Sequence, residues 1–250
     1  MSTGSFEGKA VLVTGGGSGI GQAAARQFAA AGADVLVADV DDAGARSTVE
    51  SIRSAGGSAD HQCADVSDEA QVEALVARAV DRFGGLDCAF NNAGVSAPRT
   101  PLAEMSVSEW DRLIRVNLTS VFLCMRAELR HMTAHGGGAI VNTASTAGLR
   151  PPPGVGAYAA SKHGVVGLTK TAAGEHAGGP VRVNAICPGG TDTPLLRASI
   201  GRDADVGARW ASRPMSTADD VAAAALWLCS DAARSVSGVA LVVDRGAMFA

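Results

Sequence analysis

The chain has 250 residues, 47% of them hydrophobic and 18% charged, which is enough apolar side chain for a sizeable core and excludes disorder. A net charge of -4 with no basic run argues against a nucleic-acid partner. No uninterrupted apolar stretch approaches the roughly 20 residues of a membrane span.

The N-terminus, Met1 to Gly8, lacks an apolar signal region, so a cytoplasmic protein is expected. Five scattered cysteines (Cys63, Cys88, Cys124, Cys187 and Cys229) form no C-x-x-C pair and give little support to a disulfide framework or a zinc site. Ala10-Val11-Leu12-Val13-Thr14 reads as a buried strand, and Gly15-Gly16-Gly17-Ser18-Gly19-Ile20-Gly21 follows it. Ile20, Ala24, Phe28 and Ala31 then repeat at helical spacing. Strand, glycine turn and helix present backbone N–H groups and a helix N-terminus to a pyrophosphate. The spacing Gly15-x-x-x-Gly19-x-Gly21 differs from the commoner G-x-G-x-x-G, and no Lys-Ser/Thr follows as in a Walker loop.

Asp34–Asp39 reads as the second strand and ends in an acid. That acid lies roughly 20 residues past the glycines, where a carboxylate would meet the adenosine ribose hydroxyls. It would repel a 2′-phosphate, and no Arg or Lys stands in the glycine loop to attract one, so NAD is expected over NADP. Asp41 or Asp42 is expected to cap the next helix and leave Asp39 free. A third strand is expected over Gly57–Cys63. Asp65, followed by Val66, suits either an adenine contact or a turn.

Val72, Leu75, Val76, Ala79, Val80 and Phe83 mark an amphipathic helix, ended by Gly84-Gly85. Leu86–Phe90 reads as the fourth strand, running into Asn91-Asn92-Ala93-Gly94, which suits a bend over a cofactor or a structural turn. Ser106-Val107-Ser108-Glu109 is a capping box. The helix it starts carries Trp110, Leu113, Ile114, Asn117, Leu118 and Val121 on one stripe. Asn117 there is either a helix-bending residue or the holder of a water. Gly138–Ala144 is the fifth strand, with Ser145 at its C-terminal end, the edge where open α/β sheets bind ligands. His135-Gly136-Gly137-Gly138 is similar to an esterase oxyanion loop, but without a G-x-S-x-G elbow a hydrolase is rejected.

Pro151-Pro152-Pro153 reads as a stiff loop. Tyr158, the one tyrosine of the chain, stands four residues before Lys162, which puts both on one helix face. A phenol is a poor proton donor or acceptor at neutral pH, and a fixed ammonium beside it favours the phenolate, so the pair is a candidate tuned acid/base. Val181–Ile186 is the sixth strand. Leu195 to Pro214 reads as a substrate lid bearing Leu196, Ile200 and Trp210. Its arginines, Arg197, Arg202 and Arg209, fit a solvated face better. Thr217 caps a helix through Val221, Leu226 and Leu228, and Gly238–Val243 is the last strand.

Taken together, Thr14 to Gly21, Asn91-Asn92-Ala93-Gly94, Asn117, Ser145, Tyr158-Ala159-Ala160-Ser161-Lys162 and Pro188-Gly189 with Thr193 resemble the short-chain dehydrogenase/reductase family, from Lys9 to Gly246. The resemblance implies one α/β domain over residues 1–250: a doubly wound Rossmann-type sheet of seven mainly parallel strands with helices on both faces. A homotetramer and a lid at about 193–215 are expected with it. It assigns Tyr158 as general acid/base, with Lys162 lowering its pKa and holding the nicotinamide ribose. Ser145 would hydrogen-bond the substrate oxygen, and Asn117 would hold a water leading to solvent.

For the cofactor, the resemblance implies Gly15, Ser18, Gly19, Ile20 and Gly21 at the phosphates, Asp39 on the adenosine ribose, and Asp65 and Val66 near adenine. Asn91 would meet the adenosine side, and Ala93 and Gly94 would also contact the cofactor. Pro188, Gly189, Thr191 and Thr193 would line the remainder, Thr193 at the carboxamide. The expected activity is NAD-dependent interconversion of a secondary alcohol and a ketone, the apolar lid and prolines favouring a hydrophobic or cyclic alcohol. A non-catalytic NAD sensor and lyase or epimerase chemistry are the alternatives. Two positions depart from the family: Thr191, often aliphatic, and Arg245, commonly glycine.

Overall fold

The computed structural model describes residues 5–200 and 215–249, with Ile200 as backbone only. Seven parallel strands form one sheet: β1 (Ala10–Thr14), β2 (Asp34–Asp39), β3 (Ser58–Cys63), β4 (Cys88–Asn91), β5 (Gly138–Thr143), β6 (Val181–Pro188) and β7 (Ala240–Val243). Their spatial order is β3-β2-β1-β4-β5-β6-β7. β1 is central because it is apolar on both faces, all five residues buried. Val11 pairs with Val35 of β2 on one side and with Cys88 of β4 on the other.

The connecting helices are α1 (Gly19–Ala30), α2 (Asp42–Ser54), α3 (Glu69–Phe83), α4 (Val107–Ile114), α5 (Ser120–Ala134), α6 (Gly156–Glu175), α7 (Pro194–Ile200) and α8 (Ala218–Cys229). Val11 and Val13 face one core layer, shared with α1, α2 and α8. Leu12 faces the other, shared with α3, α5 and α6. Phe6 closes the first layer edge-on against Phe28, ring centroids 5.1 Å apart. Because the sheet order reverses between β3 and β4, a crevice opens beyond the carboxyl ends of β1 and β4.

Local signals hold where they are self-contained. Asp68 caps α3 by accepting from Gln71, and Gly84 ends it in the left-handed region at φ 85°. Thr217 and Asp220 form a complete capping box on α8. The box expected at Ser106 is half made: its hydroxyl accepts from Glu109 N at 3.2 Å, while the Glu109 carboxylate faces Arg112 at 3.6 Å. The single helix expected from Trp110 to Val121 is broken into α4, a π-helical stretch over Arg115–Thr119, and α5. The extra residue of that wide turn brings the Asn117 amide inward.

Next to the crevice, Thr191–Asp192 and Ser216–Thr217 form a small parallel pair. α7 begins the expected lid, and Arg197 there pairs with Asp192 at 2.7 Å on the surface. The remainder of the lid, with Arg202, Arg209 and Trp210, lies outside the described residues. Among the described residues no helix is long and apolar enough to cross a membrane.

Candidate active site

The crevice is a cavity of about 830 Å³. It runs from Gly15, Ser18, Gly19 and Ile20, past Asp39, Asp65 and Val66, to Ser145, Tyr158 and Lys162.

At one end lies the glycine turn. Gly15 and Gly19 have φ of +64° and +54°, which side-chain-bearing residues rarely adopt. A Cβ on Gly15 would stand 2.8 Å from the Ala93 Cα, and one on Gly21 would stand 2.1 Å from the Gly15 oxygen. Gly21 is not on the cavity wall; it lets α1 pack under the turn. Ser18 occupies the N-cap of α1 without a side-chain cap bond, so the first N–H groups of that helix open on the cavity.

The Asp39 carboxylate, expected to be free, is already held in place. It accepts from Gly17 N at 2.8 Å and from Asp41 N at 2.9 Å. Asp41 sits at the cap of α2 but makes no side-chain cap bond. Two backbone donors fix the Asp39 oxygens at the cavity wall and leave them lone pairs for a ligand hydroxyl.

The turn after β4 is stitched to the glycine turn. Thr14 Oγ1 accepts from the backbone N–H of Asn92 at 3.0 Å and of Ala93 at 3.2 Å. Asn92 Nδ2 donates to the carbonyls of Thr14 and Gly15. Asn92, Ala93 and Gly94 line the cavity. Asn91 does not, contrary to the adenosine-side contact expected of it. Its side chain points into the core and donates to Glu128 and Asn142. Alternation along a strand explains this: successive residues face opposite sides.

At the other end, Ser145 follows β5, its hydroxyl accepting from Ala147 N at 3.1 Å. Tyr158 and Lys162 project from α6 one turn apart. Lys162 is buried, 3% exposed; its Nζ donates to the Thr143 carbonyl at 2.8 Å and lies 5.8 Å from the Tyr158 ring centroid. Asn117 is fully buried and off the cavity wall. Its Oδ1 accepts from Val95 N at 2.8 Å, and its Nδ2 donates to Val95 O at 2.9 Å and to Ser161 Oγ at 3.4 Å. Asn117 and Lys162 flank Gly94, whose Cβ position lies 3.2 Å from Asn117 Oδ1 and 3.6 Å from Lys162 Nζ. Pro188, Gly189, Thr191 and Thr193 complete the wall.

The electrostatics differ from expectation in one respect. Burial pushes the Tyr158 phenol above its ordinary value, and the Ser145 hydroxyl only partly offsets this. Burial lowers the Lys162 ammonium to about 8. The lowering of Tyr158 expected from Lys162 does not appear: desolvation of the phenol dominates, and the Lys162 Nζ lies 5.8 Å from its ring centroid.

Sequence reasoning overlooked three residues beside the site. Arg150 lines the cavity and donates from Nη1 to the Met248 carbonyl at 2.7 Å, tying the C-terminal segment to the Ser145 loop. Asp244 accepts from Gly246 N and Met248 N. Glu128 lies wholly buried behind Asn91. Only Glu128 left a signal, an acid on the inward stripe of Val121, Cys124, Met125 and Met132.

A family model described as enoyl-(acyl carrier protein) reductase matches residues 15–248. The chain is 43% identical over 245 residues to cis-4-hydroxycyclohexanecarboxylate dehydrogenase of Sinomonas cyclohexanicum, covering 96% of this chain and 97% of that protein. It is 42% identical over 246 residues to 2,5-dichloro-2,5-cyclohexadiene-1,4-diol dehydrogenase of Sphingobium indicum, with the same coverage, 96% and 97%. The chain belongs to the short-chain dehydrogenase/reductase family. Among solved short-chain dehydrogenase/reductase structures, 3-ketoacyl-(acyl-carrier-protein) reductase from Brucella melitensis complexed with NADH matches with a TM-score of 0.88 and 38% identity, covering 96% of this chain and 98% of that one. The protein is therefore an oxidoreductase of the secondary alcohol–ketone type that uses a nicotinamide cofactor. The residues present fit that group: a cradle closed to any Cβ at Gly15, an open helix N-terminus, and a fixed carboxylate at Asp39.

Proposed function

We propose that the chain is an NAD-dependent dehydrogenase of cyclic secondary alcohols, with Tyr158 as its general acid/base. The observation that carries this reading is the placement of Ser145, Tyr158 and Lys162 on the wall of one cavity whose far end holds the Asp39 carboxylate. When bound, the nicotinamide supplies the hydride acceptor. The chain's own residues do the rest. The glycine turn and the α1 N-terminus bind the pyrophosphate. Asp39, held by two N–H groups, accepts from the ribose hydroxyls and repels a 2′-phosphate, which favours NAD. The Ser145 hydroxyl orients the substrate oxygen, and Tyr158 takes its proton. Lys162 holds the ribose beside them, and Asn117 fixes the backbone of Val95 against Gly94. Met105, Leu113, Val116, Pro151 and Val155 make the substrate end apolar, which suits a ring, as do the names of the two relatives.

The raised phenol of Tyr158 sets the pH dependence. A neutral phenol is an acid, so ketone reduction is expected to run at neutral pH, and alcohol oxidation to rise towards alkaline pH as the phenolate forms. The test is a panel of cyclic alcohols and ketones followed by NADH absorbance, with NADP in parallel. Tyr158→Phe is expected to lose about 10²–10⁴ in turnover with its melting temperature and NADH binding kept. Full turnover in that variant, or equal use of both nucleotides, would overturn the reading. We also read the chain as one cytoplasmic domain with a lid at about 193–215. A homotetramer is favoured by the exposed Phe122 of α5 and Trp227 of α8, and is to be checked by mass in solution.

A further inference from the structure

Behind the cofactor cleft lies a polar chain that the mechanism above does not use. Glu128 is fully buried on the inner stripe of α5, and Asn91 ends β4 at 2% exposure. Asn91 Nδ2 donates to Glu128 Oε2 at 2.9 Å and to Asn142 Oδ1 at 3.0 Å. Asn142 Nδ2 donates to Thr169 Oγ1 at 3.0 Å, and Thr169 Oγ1 donates to the Val165 carbonyl at 2.8 Å. A carbonyl can only accept, so Val165 fixes the direction of every bond back to Asn91. The Asn91 amide is therefore oriented with both N–H groups used.

Two atoms of this chain are buried without a partner, Asn91 Oδ1 and Glu128 Oε1. With Glu128 ionised, both are acceptors in the core, each at a desolvation cost. A single proton on Oε1 removes both defects. It turns Oε1 into a donor for Asn91 Oδ1, antiparallel to the existing Nδ2-to-Oε2 bond, as in a carboxylic acid–amide dimer.

We propose that Glu128 is a protonated positioning residue that closes a two-bond ring with Asn91 and so fixes the strand end from which Asn92, Ala93 and Gly94 enter the cleft.

The surroundings agree. Burial pushes the Glu128 carboxyl up to about 8. No cation faces it. Arg126 and Arg130 of its own helix turn outward to Glu69 and Glu73 of α3. Arg182 is spent on the carbonyls of Leu228, Cys229, Ser230 and Val236. The titratable groups that face Glu128 are Cys124, one turn earlier, and Cys229 of α8, which neighbours Cys88 of β4; burial raises the Cys124 thiol, and the contact with Cys88 together with burial raises that of Cys229, so both stay neutral at pH 7. β5 and α6 present only Asn142 and Thr169.

The pH sign follows from linkage. The folded value, about 8, lies above the ordinary 4.5. The ring's stabilisation is thus complete below the unfolded pKa and lost as pH rises through the folded one. Glu128→Gln supplies the same donor and acceptor without a titrating proton. The test pairs wild type with this variant. Infrared difference spectra at pH 7 are expected to show a protonated-carboxyl band in wild type that Glu128→Gln lacks and that fades as pH passes about 8. The melting temperature of wild type is expected to fall relative to Glu128→Gln as pH rises from about 4.5 to about 8, and to hold a steady difference from it above that. NADH binding should survive in Glu128→Gln and weaken in Glu128→Ala. Absence of the band, melting curves that move in parallel with pH, or a Gln variant that does not fold would each overturn the pairing. The infrared and melting readouts need no substrate, so they stand apart from the alcohol reading.

Discussion

In the proposed reading Asp39 selects the nucleotide. Replacing it by Asn keeps an acceptor for only one of Gly17 N and Asp41 N and removes the charge that opposes a 2′-phosphate. A hydrogen bond to a charged group contributes about 1.5–3 kcal/mol. Asp39→Asn is expected to cut the kcat/KM ratio of NAD over NADP by about tenfold to a hundredfold, measured with one alcohol and both nucleotides. Arg245 makes a separate prediction. Among the described residues it is the sole non-glycine with positive φ, 53°, at a position where the family commonly has glycine. The left-handed region costs about 1–2 kcal/mol, of which glycine's greater unfolded freedom returns part. Arg245→Gly should raise the melting temperature by about 1–3 °C, read by calorimetry. Residues of this kind were legible because their chemistry is local: a tyrosine one turn from a lysine, an acid at a strand end. The orientation of Asn91 was not, since it depends on Glu128, 37 residues away.

Among the elements, the glycine turn is where packing is tightest. A methyl on Gly21 meets the Gly15 oxygen at 2.1 Å, so Gly21→Ala must open the turn. Overpacking costs about 1–3 kcal/mol. The variant is expected to melt lower and to bind NADH more weakly by fluorescence titration, with a normal Tyr158 environment. Strands and helices were readable from period and caps, because those signals sit within each segment. The break at Arg115–Thr119 was not, since the stripe from Trp110 to Val121 keeps an apolar spacing across it. What forces the wider turn is tertiary: the Asn117 amide reaching both the N–H and the carbonyl of Val95.

For the molecule as a whole, opposing titrations shape stability. Asp60 on the edge strand β3 faces Arg53, Arg78 and Arg82. Burial would raise its carboxyl, but the Arg78 bond and its neighbours outweigh burial and hold it below 3.8. That stabilisation is present above the ordinary value and lost in stronger acid. Glu128 acts in the opposite sense, losing its contribution between 4.5 and about 8. Melting temperature against pH should therefore peak on the acid side of neutrality, and Glu128→Gln should move the peak upward.

The reversal of strand order between β3 and β4 has a genealogical consequence. Every wall residue from Gly15 to Val66 comes from the first stretch of chain, and Ser145, Tyr158, Lys162 and Thr193 come from the later one. In the proposed reading, dinucleotide preference and substrate chemistry thus lie on separate blocks of the chain. The two blocks join at a seam where Thr14 holds Asn92 and Ala93. A splice between relatives that respects this seam can exchange the nucleotide while leaving the alcohol unchanged.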